Sequence, residues 1–385
     1  MPVIDRIASY ADELTAIRRD LHEHPELGFE EVRTSGIVAE KLKSWGIETT
    51  TGIGGTGVVG VLAGARPGKR IGLRADMDAL PIHEQTNLPY ASKTPGVMHA
   101  CGHDSHTTIL LGAARYLSET RDFAGTAVFI FQPAEEGLGG ARAMIREGLF
   151  DKFPVDEIYG LHNSPYHEEG RIGVKPGPAM AGANFFDIKV RGVGSHAASP
   201  EHSRDPIVIA ASLVSQLQTV VSRNTPGPKA LVLSVTQFHA GAAYNVIPEE
   251  ATLAGTVRYF DREVADRASE RMREICAGFA HAHGVEIDCD IRNVFDVLVN
   301  DGALSEELVA AAAEITGTDM AEIKDQVVMG SEDFADMLHV VPGAYCTIGH
   351  KGDVPLHNPG FVLDDDILPV GASVMARMVE RRGAA

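Results

Sequence analysis

Five segments of the chain concentrate residues that hold metal ions or move protons. In 73–81 (LRADMDALP), the carboxylates Asp76 and Asp78 end an apolar run. In 98–106 (MHACGHDSH), one thiol and three imidazoles, Cys101, His99, His103 and His106, lie within eight residues, a dense set of soft and borderline ligands. Gly102 lets the backbone turn so that Cys101 and His103 can converge. In 131–137 (FQPAEEG), Glu135 and Glu136 are adjacent. Inside a strand they would face opposite ways, but in a loop between Pro133 and Gly137 both can approach one centre. One can ligate a metal while its neighbour works as a base. His162 follows a short apolar run in GLHN, and His357 sits in LHNP before the last helix. Together the segments supply one thiolate, five imidazoles and, besides the strand-end aspartates, two neighbouring carboxylates. That is more than a single zinc ion takes and suits a two-metal site. A thiolate can bridge two divalent ions, which fits the single cysteine of the set. Thiolate and imidazole favour Zn²⁺, while Mn²⁺, Co²⁺ or Ni²⁺ can fill the same ligands.

Sites in open α/β sheets form outside the carboxyl ends of strands, so strands must precede these segments. Short apolar runs at 58–63, 71–75, 127–131 and 157–161 read as strands. Helical spacing marks the opening (Ile4, Ile7, Leu14, Ile17, Leu21), 34–45 with Ser35 as its cap and Gly46 as its stop, 107–117 and 140–148. The alternation predicts an α/β domain whose largely parallel sheet is flanked by helices. The pattern changes after about residue 183. Strand 185–190, helix 205–222, strands 230–238 and 251–259, helix 262–283 and strand 285–294 give the order βαββαβ, a split-βαβ, ferredoxin-like α+β unit. Helices near 305–316, 332–339 and 365–382 then resume the first pattern. The expected organisation is a discontinuous domain of 1–183 with 296–385 and an inserted domain of 184–295.

Other signals carry less. Residues 52–57 match G-x-G-x-x-G by letter, but a strand-like run follows where a dinucleotide site needs a helix, so a glycine-rich hairpin is expected. There is no H-E-x-x-H and no C-x-x-C. His281 and His283 close a helix, where cations suit the dipole. His22 and His24, before Pro25, read as capping or leaving the first helix, and spacing supports neither a surface role nor one behind a ligand. Trp45 reads as core.

Charge and composition exclude several classes. Hydrophobic residues make up 44% of the 385 and charged residues 23%, ordinary for a globular chain. A net charge of −19 repels phosphate backbones and anionic lipid, which argues against nucleic acid or membrane as partners. It leaves room for a small anionic substrate met by local cations. Four cysteines are too few for a disulfide framework, and acidic residues interrupt the start where a signal peptide needs an apolar run. A reducing, cytoplasmic setting is the expectation.

The motifs RRDLHEHPELGFEE, LRADMDALP, MHACGHDSH, FQPAEEG, GLHN, NVIPEEATLAGTVR, MGSEDF and LHNPGF, in this order from about residue 15 to about residue 370, resemble the M20 metallopeptidase family. More narrowly they resemble its amidohydrolase branch of hippurate hydrolases, N-acyl-amino-acid amidohydrolases and indole-acetyl-amino-acid hydrolases. The resemblance implies a catalytic domain with an inserted lid, two divalent metal ions, and hydrolysis of the linear amide of N-acyl or N-aroyl amino acids by metal-activated water. It implies Cys101, His103, Glu136, His162 and His357 as metal ligands, with Cys101 bridging, and Glu135 as general base. It implies that His196, in GSHAA, assists the scissile carbonyl, and that Asn245 and Arg258 contact the substrate carboxylate or oxyanion. In the peptidase branches the strand-end motif is His-x-Asp. Asp76 holds the His position here, which leaves Asp78 to orient a ligand. A homodimer through the inserted domain is the family expectation. The alternatives are a dipeptidase or aminopeptidase of the same family, a hydrolase with Cys101 as nucleophile and His103 or His162 as base, and a non-catalytic metal store.

Overall fold

The computed structural model describes residues 3–384. The chain forms two compact units, one of Met1–Ala179, Val299–Gln326 and Asp333–Ala385, the other of Met180–Leu298 and Val327–Glu332. The second unit therefore spans a few residues more than the expected 184–295 insert and also takes Val327–Glu332.

The first unit is built on an eight-stranded mixed sheet. Its order is Glu48–Ile53, Gly57–Ala63, Ala124–Gln132, Arg66–Asp76, Glu157–Ser164, Gly343–Gly349, Ile172–Val174, Ala321–Ile323. The four central strands, Ala124–Gln132, Arg66–Asp76, Glu157–Ser164 and Gly343–Gly349, run parallel to one another, with antiparallel neighbours on either side. Parallel strands are buried on both faces and read as continuous apolar runs. Helix His103–Thr120 is buried along most of its length and packs with Ile367–Arg382 over Ile71, Leu73, Phe129 and Leu161 in one core.

Several expectations need correction. Residues 52–57 form the expected glycine-rich hairpin, which leads into strand Gly57–Ala63, but its first strand, Glu48–Ile53, was not expected. Helix Val32–Ser44 starts earlier than 34–45, so Ser35 is not its cap but lies buried one turn inside. Glu31 precedes that helix without capping it, because its carboxylate is used elsewhere. The opening is two helices, Asp5–Ala8 and Ala11–Glu23. The helix expected at 332–339 is only Phe334–Leu338. Strands Ile172–Val174, Ala321–Ile323 and Gly343–Gly349 were not anticipated.

The second unit has a four-stranded antiparallel sheet, ordered Leu231–Ala240, Glu250–Tyr259, Gly182–Arg191, Glu286–Phe295. That order is the split-βαβ arrangement. Helices Pro206–Asn224 and Arg262–His283 bury Ile209, Leu213, Leu217 and Val220, and Ala265, Met272 and Ile275, against Phe186, Ile188 and Val190. Asp205 and Asp261 cap them by accepting backbone N–H bonds in the first turn, and Gly284, left-handed at φ 62°, ends the second. His281 and His283 do occupy its last turn.

Candidate metal centre

The strand Arg66–Asp76 delivers Asp76 and Asp78 to its carboxyl end, beside the start of helix His103–Thr120. Gly102 opens that helix at φ 88°, and a Cβ there would lie 2.2 Å from Asn163 Nδ2. Only glycine allows Asn163 to reach the Cys101 carbonyl, which it does at 2.6 Å. The turn holds Cys101 and His103 side by side.

Their donors meet those of distant segments. Cys101 Sγ is 3.4 Å from His162 Nε2. His162 Nδ1 bonds the Asn163 carbonyl at 2.7 Å, so the proton sits on Nδ1 and the Nε2 lone pair faces the sulfur. His357 Nε2 is 3.2 Å from Glu136 Oε1, and His103 Nε2 is 3.9 Å from the same oxygen. Two groups of three donors, each with ligand atoms within 4.8 Å of one another, share the cysteine: Cys101, His103 and His162, and Cys101, Glu136 and His357. A third group joins His103 with Glu135 and Glu136.

Around these donors stands a layer of buried partners. Asp78 Oδ1 is 3.2 Å from His103 Nδ1, and Asp78 Oδ2 accepts the Glu136 N–H at 3.0 Å. Glu31 Oε1 accepts the Ala134 N–H at 2.8 Å. Ala134 is left-handed at φ 54°, a strained conformation for a residue with a Cβ, and the two carboxylates pin the loop in it. His357 is left-handed too, at φ 62°, and its N–H donates to the Ala100 carbonyl at 2.8 Å. Asp76 bonds His106 Nδ1 at 2.6 Å and Arg74 Nη1 at 2.6 Å. His106 Nε2 accepts the Asn163 N–H at 2.9 Å. His106 is therefore tied on both nitrogens, as a brace between two strands' ends.

The electrostatics follow from burial and crowding. Burial pushes the Cys101 thiol up, and Glu136 adds to it, against His103 and His357. Bonds to Cys101 and Glu136 raise His357 to about 10. Burial lowers His162 well below the ordinary imidazole value, with His106 adding repulsion. Burial opposes charge on Asp76 as well, but His103, His106 and Arg74 outweigh it and hold the carboxyl well below its usual range.

The donor set fits divalent cations. His103 Nε2 is buried and has no hydrogen-bond partner. An unpaired buried polar atom costs about 1–3 kcal/mol, which coordination would remove. A thiolate, imidazoles and a carboxylate are ligands such ions accept.

Sequence reasoning missed several buried partners. One of them is His22. It is 1% exposed, bonds Asp104 at 2.8 Å, and stands beside the fully buried Arg18, itself 3.0 Å from Asp104. Arg74, Gln132 and Asp333 form a second buried network below Asp76. Glu31, His22 and Asp333 all lie in the quoted family motifs, which was the available signal.

The remaining predicted residues lie in the second unit. His196 pairs with Val246 in the short ladder Ser195–His196/Val246–Ile247, and the Asn245 carbonyl accepts the Ala197 N–H at 3.0 Å, so His196 and Asn245 are neighbours. Arg258, on strand Glu250–Tyr259, donates to Ser331 Oγ at 2.5 Å and lies 5.9 Å from the Phe185 ring centroid.

Comparison with known proteins agrees with this architecture. The family model described as Peptidase family M20/M25/M40 matches residues 72–381. A hippurate hydrolase of Campylobacter jejuni is 43% identical over 378 residues, covering 98% of each chain. An N-acetylcysteine deacetylase of Bacillus subtilis is 40% identical over 371 residues, covering 95% of each. The crystal structure of the Bacillus subtilis YxeP protein, described as a dinuclear metal binding peptidase from the M20 family, has a TM-score of 0.80 at 37% identity, over 97% of this chain and 98% of that one. With the donors of its centre gathered from four motifs and its length matched nearly end to end, this chain belongs to the M20 family of hydrolases, in the amidohydrolase branch.

Proposed function

We propose that this protein hydrolyses N-acyl or N-aroyl amino acids to a carboxylic acid and a free amino acid, using two divalent metal ions. The observation that carries this reading is the pair of donor groups sharing Cys101, with Glu135 beside them as an acid that neither group needs. The relatives named for hippurate and N-acetylcysteine support the substrate class.

The ligands would be Cys101, His103, Glu136, His162 and His357, holding Zn²⁺ or Mn²⁺, with Co²⁺ or Ni²⁺ as alternatives. Two such ions, when bound, acidify a water and polarise an amide carbonyl. Glu135 takes the water proton on its carboxylate and returns it to the leaving nitrogen. Its side chain is 6% exposed and its loop is pinned by Glu31 and Asp78, which limits its swing. His196 accepts the Ala198 N–H on Nδ1 at 3.1 Å, which puts its proton on Nε2. That N–H is the donor for the developing oxyanion, worth about 3 kcal/mol. Arg258 offers a planar fork to the substrate carboxylate, with Asn245 beside His196 as a further polar contact. The first unit is the catalytic domain in this reading, and the second is the lid and the surface of a homodimer. All four cysteines are free thiols, as a cytoplasmic setting leaves them, and no helix among the described residues is long and apolar enough to cross a membrane.

The test compares wild type with Glu135→Gln on hippurate and N-acetyl amino acids, with glycine dipeptides run alongside. Wild-type turnover of the acyl amino acids and its loss in the variant is expected. Equal turnover in both proteins rejects Glu135 as the base, and a preference for dipeptides rejects the substrate class.

A further inference from the structure

Lys324 is unusual among the cations of this acidic chain. Its side chain is half-buried, yet its ammonium meets only neutral acceptors, His167 Nε2 at 2.7 Å and Thr347 Oγ1 at 2.7 Å. Glu322, whose charge also acts on Lys324, is engaged by Arg171 at 3.6 Å. A lysine removed from water is normally paired with an acid. Nζ has three donors, and the two acceptors leave one over.

The stem of Lys324 lies over a glycine. A Cβ on Gly173 would come within 1.9 Å of Lys324 Cε and 2.6 Å of Nζ, so the side chain lies where any other residue at 173 would place its own. Gly173 is the strand partner of Thr347, and Thr347 is the partner of His162 on the other side. Paired residues on adjacent strands face the same side, with the strands about 4.8 Å apart. Lys324, bonded to Thr347 over Gly173, therefore lies on the sheet face that carries His162, whose Nε2 meets Cys101. His167 lies beyond the carboxyl end of strand Glu157–Ser164, where sites form in α/β sheets.

We propose that Lys324, with His167 and Thr347, is a subsite for a second carboxylate on the substrate, making this protein selective for N-acyl amino acids that carry an acid besides the α-carboxylate. The inference rests on the amidohydrolase reading above. The acid can sit on the amino-acid side chain or at the end of a dicarboxylic acyl group, and the recognition chemistry is the same. Burial lowers the pKa of Lys324 and of His167, the latter helped by Lys324, and a carboxylate bound beside them would counter both effects. With a net charge of −19, the chain admits a dianionic substrate only where dedicated cations meet it.

The experiment measures kcat/KM of the metal-loaded enzyme on two matched pairs, N-acetyl-L-glutamate against N-acetyl-L-glutamine and N-succinylglycine against N-butyrylglycine. Wild type, Lys324→Met and Lys324→Arg are compared. Wild type is expected to favour the acid in one pair, which identifies where the second carboxylate sits. Lys324→Met should cut that acid-to-neutral ratio by roughly tenfold to a hundredfold, mainly through KM, and Lys324→Arg should restore much of it. The same ratio in wild type and Lys324→Met, or a neutral preference in both pairs, overturns the subsite while leaving the amidohydrolase reading in place. Failure of wild type on all four compounds and on hippurate overturns both. If Lys324→Met does not fold, Thr347→Val carries the same test of the ratio, with a fall of roughly threefold or more expected from the loss of one bond.

Discussion

Asp78 holds Glu136 by its backbone, with Oδ2 accepting the N–H at 3.0 Å, while the other oxygen of the same carboxylate faces His103 Nδ1 at 3.2 Å. One side chain thus orients two predicted ligands that lie on a helix start and on a loop. The His103 contact fixes which ring nitrogen points into the donor cluster.

Replacing Asp78 should loosen both. For Asp78→Ala, divalent-metal affinity is expected to fall roughly tenfold to a hundredfold, measured by competition with a chelator. Affinity within about twofold of wild type would show that the loop and helix hold their donors without it.

Gly102→Ala places a Cβ 2.2 Å from Asn163 Nδ2 at a backbone φ of 88°. The expected loss is about 1–3 kcal/mol, seen as a lower denaturant midpoint. A wild-type midpoint would mean that Asn163 can move away at no cost.

Glu157 is 5% exposed and receives Lys69 at 2.8 Å, Arg382 at 2.8 and 2.9 Å, and the Tyr159 hydroxyl at 2.8 Å. Burial opposes its charge, but these donors lower the carboxyl from 4.5 to about 2. A depressed folded-state pKa stabilises above the unfolded value and ceases to as pH falls through the folded one. The advantage of wild type over Glu157→Gln should therefore be full above about pH 4.5, on the order of 3 kcal/mol, and vanish as pH falls through about 2. Chemical denaturation across that range is the measurement, and a pH-independent difference contradicts it.

Arg18 and Asp104 are both fully buried and 3.0 Å apart. Asp104→Ala leaves the guanidinium without its main partner and should cost about 3–5 kcal/mol in thermal or denaturant unfolding. A cost under about 1 kcal/mol would show that Asp365, 3.4 Å from Arg18, suffices alone.

Stripping divalent ions with EDTA should abolish hydrolysis and lower Tm, and Zn²⁺ or Mn²⁺ should restore both, since an ion that binds only the folded chain stabilises it. Activity that survives EDTA but falls to iodoacetamide would point instead to Cys101 as a nucleophile.

Sequence by itself determined the local pieces. Cys101 and His103 are two residues apart with a glycine between, and Glu135 and Glu136 are neighbours in a Pro/Gly-bounded loop, so their convergence is a matter of short-range backbone geometry. The split-βαβ unit was legible for the same reason. Phe186, Ile188 and Val190 alternate with period two, and its helices carry Asp205 and Asp261 just before them. Strand Gly343–Gly349 was not legible, because it is buried on both faces and bounded by glycines, so it shows neither alternation nor a long apolar run.

Tertiary structure alone decided who shares what. That Cys101 belongs to two donor groups, that Asp78 contacts two predicted ligands and that His22 and Arg18 lie buried on Asp104 are relations between atoms a few ångströms apart and tens to hundreds of residues distant in the chain. Residue type carries the capacity to ligate or to pair. Distance is set by the packing of a parallel sheet against its helices, and a buried charge is tolerable only when that packing brings its partner.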